Sequence, residues 1–339
     1  MEDDFPTSGF SQRWKNFPDY IIGVTKDIWE DRGIHTLTET YGPDIPVRSP
    51  ASVVVGNDNV IAATMATLAE FPDRQLYGED VIWSRDPGSD YFLSSHRLLS
   101  TATHDGDGVY GKATRKVLTY RILADCAAHK DVIDDEWLIR DQGAIVRQLG
   151  WTPEAFAADL ITREGGVEAC VKPLTPETDV EGPYRGRGND NEWGERTADV
   201  LERLMAGEIS VIQRHYDRAA QLHYPGHKQD YSHVGADKFW LGLRAAFPHA
   251  EFKIEHVIGR EDPNMPPRAA VRWSLWGKHS GWGAFGTPTG AMVYVLGITH
   301  VEYGPYAAPG SGEATSIRRE WTLFDETAIW KQILMQADK

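Results

Sequence analysis

The stretch DDEWLIRD (134–141) returns 184 residues later as RREWTLFD (318–325). A chain that writes one phrase twice is constrained to fold into two like units, provided the recurrence extends beyond the phrase. It does. At an offset of 176, Phe71-Pro72 meets Phe247-Pro248, Val81-Ile82 meets Val257-Ile258, and Asp86-Pro87 meets Asp262-Pro263. At 175, Tyr41 meets Tyr216, Pro50 meets Pro225, Gly111 meets Gly286, and Thr114 meets Thr289. The offset reaches 184 only past YGPYAAPGSGEAT (303–315), a longer loop in the second copy, and loops are where insertions are tolerated. A length of 339 residues suits two such units of roughly 150 residues each.

Each copy reads in the same order. Helical periodicity closed by glycine covers 19–33 and 196–207, and shorter helical pieces follow at 36–41 and 210–220. A brief extended piece ends at Pro50 or Pro225, and a further helix over 57–70 or 235–247 stops at Phe-Pro. Four β-branched and aromatic segments complete the unit: 74–84, 91–103, 115–125 and 132–141, then 251–260, 268–278, 290–303 and 316–324. Helices first and strands after make an α+β unit rather than a βαβ unit. The expected division is 1–150 for the first domain, 151–194 for a helix and linker, and 195–339 for the second. The linker reading rests on the Pro, Gly and charge of 172–194.

Composition narrows function mainly by exclusion. With 35 basic and 50 acidic residues the formal charge is −15, and no basic run is interleaved with aromatics, so no nucleic-acid partner is expected. No apolar run approaches the roughly 18 residues of a membrane span. The acidic opening MEDDFPTSGF lacks the apolar core of a secretory signal. A cytoplasmic protein is expected, with its two cysteines, Cys126 and Cys170, as small apolar fillers rather than metal ligands or a disulfide. No Gly-rich phosphate loop, GxSxG elbow or HExxH helix occurs.

Three segments carry a family resemblance. AFGTPTGAMVYVLGITHV (284–301) resembles the Gly-x-Pro-Thr-Gly strand entry of the SnoaL-like polyketide cyclases, within the nuclear transport factor 2-like superfamily. EWLIRDQGAIVRQLG (136–150) is similar to that family's closing strand and short helix, and Tyr216 through LHYPGH (222–227) to its early His-x-Pro segment. The resemblance covers about 15–150 and 195–335. It implies tandem cone-shaped α+β barrels, each a curved antiparallel sheet wrapped around N-terminal helices with a pocket in its open end. Such units commonly pair through their sheets, which implies a pseudo-dimer within one chain and leaves association of whole chains open. Members include cofactor-free cyclases, isomerases, dehydratases and epoxide hydrolases as well as proteins that only bind, so fold does not fix the reaction.

Chemistry of this kind needs a carboxylate or imidazole in an apolar cavity, where burial tunes its proton affinity, and a donor for the developing oxyanion. The resemblance implies an aspartate acid/base on a late strand with a histidine nearby; Glu136 and Glu320 stand at that place. Strand alternation sets Glu136, Leu138 and Arg140 on one face and Trp137, Ile139 and Asp141 on the other, so a cavity-facing Trp137 would turn Glu136 outward. Asp141 and Asp325 read as helix caps. Positions that stay polar in both copies supply the remaining candidates: Asp125 with His300, Arg48 with His223, and His96 with Arg272. Tyr224 and the glycine-flanked Trp282 complete a substrate-binding set. His223, His227 and His233 are spaced like metal ligands, but Pro225 and Gly226 break any helix between them, and no metal or other cofactor is expected. The second copy, which keeps Pro-Thr-Gly and His300, is the expected site of a lyase, isomerase or cyclase acting on a small organic molecule. A non-catalytic binding protein and a carboxylate-activated epoxide or ester hydrolase are the alternatives.

Overall fold

Each copy opens with a helix that its own sequence caps. Asn16 accepts from the Asp19 amide at 2.9 Å with Pro18 in the first turn, and Asn191 accepts from the Trp193 amide at 3.0 Å. These are helices α1 (Phe17–Trp29) and α6 (Glu192–Met205) of a computed structural model that describes residues 9–86, 88–307 and 312–337. The first eight residues of the acidic opening, Pro87 of the Asp-Pro match and part of the 303–315 loop lie outside the described residues.

The first copy continues through α2 (Leu37–Thr40), β1 (Pro46–Ser49), β2 (Ser52–Val55) and α3 (Asn57–Glu70). It then runs through β3 (Gln75–Arg85), β4 (Phe92–Thr103), β5 (Val117–His129) and β6 (Val132–Arg140), closing with α4 (Gln142–Leu149) and α5 (Pro153–Arg163). The second copy, after α6, holds α7 (Val211–His215), β7 (Tyr216–Tyr224), β8 (Lys228–Tyr231), α8 (Ser232–Ala246), β9 (Glu251–Arg260), β10 (Arg268–Lys278), β11 (Met292–Gly304), β12 (Ser316–Phe324) and α9 (Glu326–Leu334). The two sheets have one topology, β2-β1-β6-β5-β4-β3 and β8-β7-β12-β11-β10-β9.

Four expectations need correction. Neither sheet closes into a barrel: its two end strands do not pair with each other, and helices cover its concave side. Neither is wholly antiparallel, since β1 runs parallel to β6 and β7 to β12. Residues 216–220 are strand rather than helix; Tyr216 already bridges Ile317. The segment 172–194 is not a loose linker. Leu174 and Tyr184 are buried between the sheets, and the Tyr184 hydroxyl meets His256 Nε2 at 3.1 Å. Curvature comes from bulges at Gly78/Asp80 and Ala127/Ala128 and, in the second sheet, at Arg272/Trp273 and Glu302/Tyr303.

The convex faces of the sheets pack on each other. Ile82, Leu93 and Ala127 meet Ile258 and Ala270, and Leu123 and Ile139 meet Leu296, Ile298 and Leu323. The contact is reciprocal. Arg97 of the first sheet lies 3.6 Å over Trp321 of the second, and Arg272 of the second lies 3.4 Å over Trp137 of the first. Cross-strand register makes Arg97 and Arg272 counterparts, as it does Trp137 and Trp321, so one patch meets its own copy. The register also corrects the alignment: Val81 opposes His96 where Val257 opposes Val271, so the counterpart of His96 is Val271 rather than Arg272.

Candidate active site

Because Trp137 turns toward the seam, its neighbours Glu136, Leu138 and Arg140 turn into the first concavity. His96 and Leu98 of β4, and Ile122, Ala124 and Cys126 of β5, face the same way, while the apolar stripe Ile21, Val24 and Ile28 of α1 covers the opposite side. Together with Thr64 and Thr67 of α3 and with Tyr41 and Ser49, they enclose a cavity of about 170 Å³. That is slightly more than the roughly 150 Å³ in which an engineered apolar cavity takes up benzene.

Glu136 stands at one end of this cavity, opposite Cys126 in the sheet. It is 7% exposed, its Oε2 has no hydrogen-bond partner, and no cation pairs with it among the described residues. Burial pushes its carboxyl up to about 7, against the opposing influence of the Tyr41 hydroxyl. Burial together with the Glu136 charge holds the Tyr41 phenol well above its ordinary range. The Cys126 thiol is likewise pushed up by burial and is no nucleophile here. His96, two strands away, meets Ser94 Oγ at 3.3 Å, and burial lowers its imidazole to about 4, so it is neutral at neutral pH. The cavity therefore holds one carboxyl poised to gain or lose a proton and one neutral imidazole.

At the other end, Arg74 is 1% exposed, and its Nε and Nη1 have no partner. Its guanidinium lies 4.2 Å over Trp29 and 5.9 Å from the Tyr120 ring centre. Arg140 also lines the cavity, and its Nε is unpartnered.

The second concavity is filled. Register and offset place Trp240 where the first copy has Thr64, Trp273 for Leu98, Phe239 for Ala63, Tyr224 for Ser49 and Phe324 for Arg140. Trp240 and Trp273 are fully buried with ring centres 6.0 Å apart, and Tyr224 stacks on Phe239 at 3.6 Å. Gly297, cross-strand partner of Trp273, is required by it: a β-carbon there would stand 2.1 Å from the indole. Glu320 points into this packed interior as the counterpart of Glu136. It accepts from Tyr216 at 2.8 Å, Tyr224 at 3.3 Å and Thr322 at 2.6 Å, and burial raises its carboxyl. The expectation of a second-copy site is thus corrected by packing; Glu320 and Tyr224 are core.

The polar pairs are corrected by strand alternation. Asp125, Arg48, Arg272, His223 and His300 sit beside Trp137 or Trp321 on the convex faces, in the seam. Asp125 accepts from Ser95 Oγ and pairs with Arg272 at 3.2 Å; Arg48 pairs with Asp135 at 2.7 Å. His223 stacks on Trp321 at 5.4 Å, and burial lowers its imidazole to about 4. His300 Nε2 meets Ser95 Oγ at 2.8 Å, and burial, then Arg97, holds its imidazole well below the ordinary range. Ser95 stands between the acid and the imidazole and all three are buried, so this is no hydrolytic triad. Trp282 is 71% exposed and lines none of these spaces. Among the described residues no group of three or more His, Cys, Asp or Glu is placed to hold a metal, and no helix is long and apolar enough to cross a membrane. Asp141 and Asp325 do cap their helices; Asp141 also accepts from the Gly226 and His227 amides of the other copy.

Sequence reasoning missed Arg74, Tyr41 and Trp29, and treated Arg140 only as a neighbour of Glu136. One signal was available: Tyr41 and Tyr216 align, each beside the Glu of its own copy. Arg74 offered none, since it sits at a loop-to-strand junction where periodicity is silent.

No family model and no curated protein matches the sequence. Among solved structures, IdmH from Streptomyces antibioticus, named as a polyketide cyclase, is similar over 40% of this chain and 98% of its own, at 20% identity and a TM-score of 0.35. AclR from Streptomyces galilaeus, named as a hydroxylase, is similar over 43% and 98%, at 17% identity and 0.33. A protein from Jannaschia named as a SnoaL-like polyketide cyclase covers 43% and 96%, at 18% identity and 0.33. Two of the three carry the polyketide cyclase name of the family that the sequence motifs resemble.

Proposed function

We propose that the first concavity is a cofactor-independent acid/base site for a small organic molecule and that Glu136 moves the proton. The observation that carries this reading is a buried carboxyl with an unpartnered oxygen and no counter-cation at the end of an apolar cavity, titrating near neutrality. A group half ionised at neutral pH serves as base and then as acid. Its carboxylate takes a proton from carbon next to a carbonyl; the C–H electron pair moves into the enolate, and the protonated carboxyl returns the proton at a second position. The neutral His96 imidazole can donate to the developing enolate oxygen, as its low proton affinity suits it to do. Isomerisation, ring closure by carbon addition, and elimination all share this first step. The second concavity serves as a packed support, and its seam replaces the contact that two single units would make.

The test is solvent exchange. Incubated in D2O with a panel of small carbonyl compounds, the wild type should load deuterium into a fitting compound at an α-carbon, read by proton NMR. Glu136→Gln should lose this by ~10²–10⁴-fold while Glu320→Gln keeps it. Exchange that survives Glu136→Gln and disappears with Glu320→Gln would sink the assignment. Ligands that bind without exchange would leave a binding protein.

A further inference from the structure

We infer that the cavity recognises a carboxylic acid of one-ring size, whose carboxylate lies on Arg74 and Arg140 while its apolar body reaches toward Glu136. This rests on the small-molecule reading of the same cavity and adds the class of ligand.

Buried guanidinium groups are normally paired, because an isolated charge taken out of water costs several kcal/mol. Arg74 is 1% exposed, lines the cavity, leaves Nε and Nη1 unpartnered, and forms no ion pair with any described residue. What it has instead are the face of Trp29 and the hydroxyl of Tyr120, which attract a cation but do not pair with it as a carboxylate would. Arg140, from the end of β6, lines the same cavity with its Nε unpartnered and likewise forms no ion pair among the described residues. Two cations therefore share one space with no ion pair to either; Arg140 has the Tyr110 hydroxyl and the unpaired charge of Asp325 near it. Tyr120 registers their field: burial raises its phenol, yet Arg74 and Arg140 outweigh that and bring it below its ordinary value.

The only carboxyl among the cavity-lining residues is Glu136, at the far end. Glu136 and Arg140 are four residues apart on one strand, about 13 Å at ~3.3 Å per residue, so Glu136 is a reacting group and no partner for the arginine. Between the ends the wall is Leu98, Ile122, Leu138 and Ile28. A guanidinium binds carboxylate through paired N–H donors, and an apolar wall rejects a fully hydrated anion such as phosphate. The shape asks for a charged head on an apolar body.

The experiment compares 3-phenylpropanoate, 3-phenylpropanamide and inorganic phosphate by calorimetry on the full chain. The acid should bind at least ~10-fold tighter than the amide, since charge-assisted bonds are about twice as strong as neutral ones, and phosphate should not compete. Arg74→Met should erase the preference for the acid, and Arg140→Met should reduce it, each variant checked for an unchanged circular dichroism spectrum. Should Arg74→Met not fold, Arg140→Met alone decides. Equal binding of acid and amide, tighter binding of the amide, or a preference untouched by the Arg140 variant overturns the inference. Glu136→Gln separates this from the catalytic reading, because loss of proton exchange there leaves the acid-over-amide preference in place.

Discussion

The two concavities share one topology and one register, yet one is hollow and the other solid. Five positions account for the difference: Thr64, Leu98, Ala63, Ser49 and Arg140 line the space that Trp240, Trp273, Phe239, Tyr224 and Phe324 fill. The Glu on the sixth strand survives in both, but its meaning changes with its neighbours. Glu320 has three hydroxyl donors and no room beside it; Glu136 has an oxygen without a partner and a cavity in front of it. A carboxyl already held by fixed donors is part of a core, and one left short of them is available to a substrate. The duplicated phrase is therefore structural in one copy and, in our reading, chemical in the other.

The largest expected break in this comparison is in turnover. Glu136→Gln should cost ~10²–10⁴-fold in proton exchange with little loss of fold, whereas Glu320→Gln should leave exchange alone and lower stability by about 1–3 kcal/mol, measured by urea denaturation. Next comes packing. Trp240→Thr, which imposes the first copy's residue on the second, should destabilise by about 3–5 kcal/mol because the cavity it opens has no occupant. The reverse change, Thr64→Trp, should fill the hollow concavity and abolish ligand binding while the chain stays folded, a result read by calorimetry against 3-phenylpropanoate.

The third expectation concerns pH. Glu136 holds its proton in the folded chain up to about 7, above its ordinary 4.5, so the folded state is the one that keeps the proton. Its contribution is complete below pH 4.5 and is lost as pH rises through 7. Denaturation at pH 9 compared with pH 4 should show a deficit of about 3 kcal/mol from this group, which Glu136→Gln removes. A variant with the same pH dependence as the wild type would mean that Glu136 is ordinarily solvated.

Much of the fold could be read before any coordinates, because repetition and alternation are written into the chain. The eight long strands and both covering helices emerge from the offsets of Phe-Pro, Val-Ile and Glu-Trp. The site was less legible for a particular reason. Alternation states which residues share a face but not which face is concave, so Glu136 and Trp137 could not be assigned to sides. The polar pairs Asp125/His300 and Arg48/His223 persist because both copies use that face for the seam, and persistence there looked like a pocket. Volume was the missing quantity. That Trp273 needs Gly297 opposite it, and that Leu98 faces Ile122 instead, is a statement about cross-strand partners that only the register supplies.

The smallest expected effect lies in the helices over the two concavities. In α8 the buried positions are Gly235, Ala236, Trp240, Leu243 and Ala246, an anchored face centred on an indole. In α3 only Thr64, Leu68 and Glu70 are buried, and Met65 is 54% exposed. A helix held over a hollow by few apolar contacts opens more readily than one pinned by tryptophan, since local opening free energy follows the apolar surface that opening exposes. Amide exchange in α3 should therefore outpace that in α8 by on the order of tenfold, about 1.4 kcal/mol. A ligand that occupies the first concavity should slow α3 and leave α8 unchanged. Thr64→Trp should slow α3 in the same way without any ligand, since it supplies the side chain that α8 already has. Equal protection of the two helices in the free wild type would mean that the hollow is not what separates the copies.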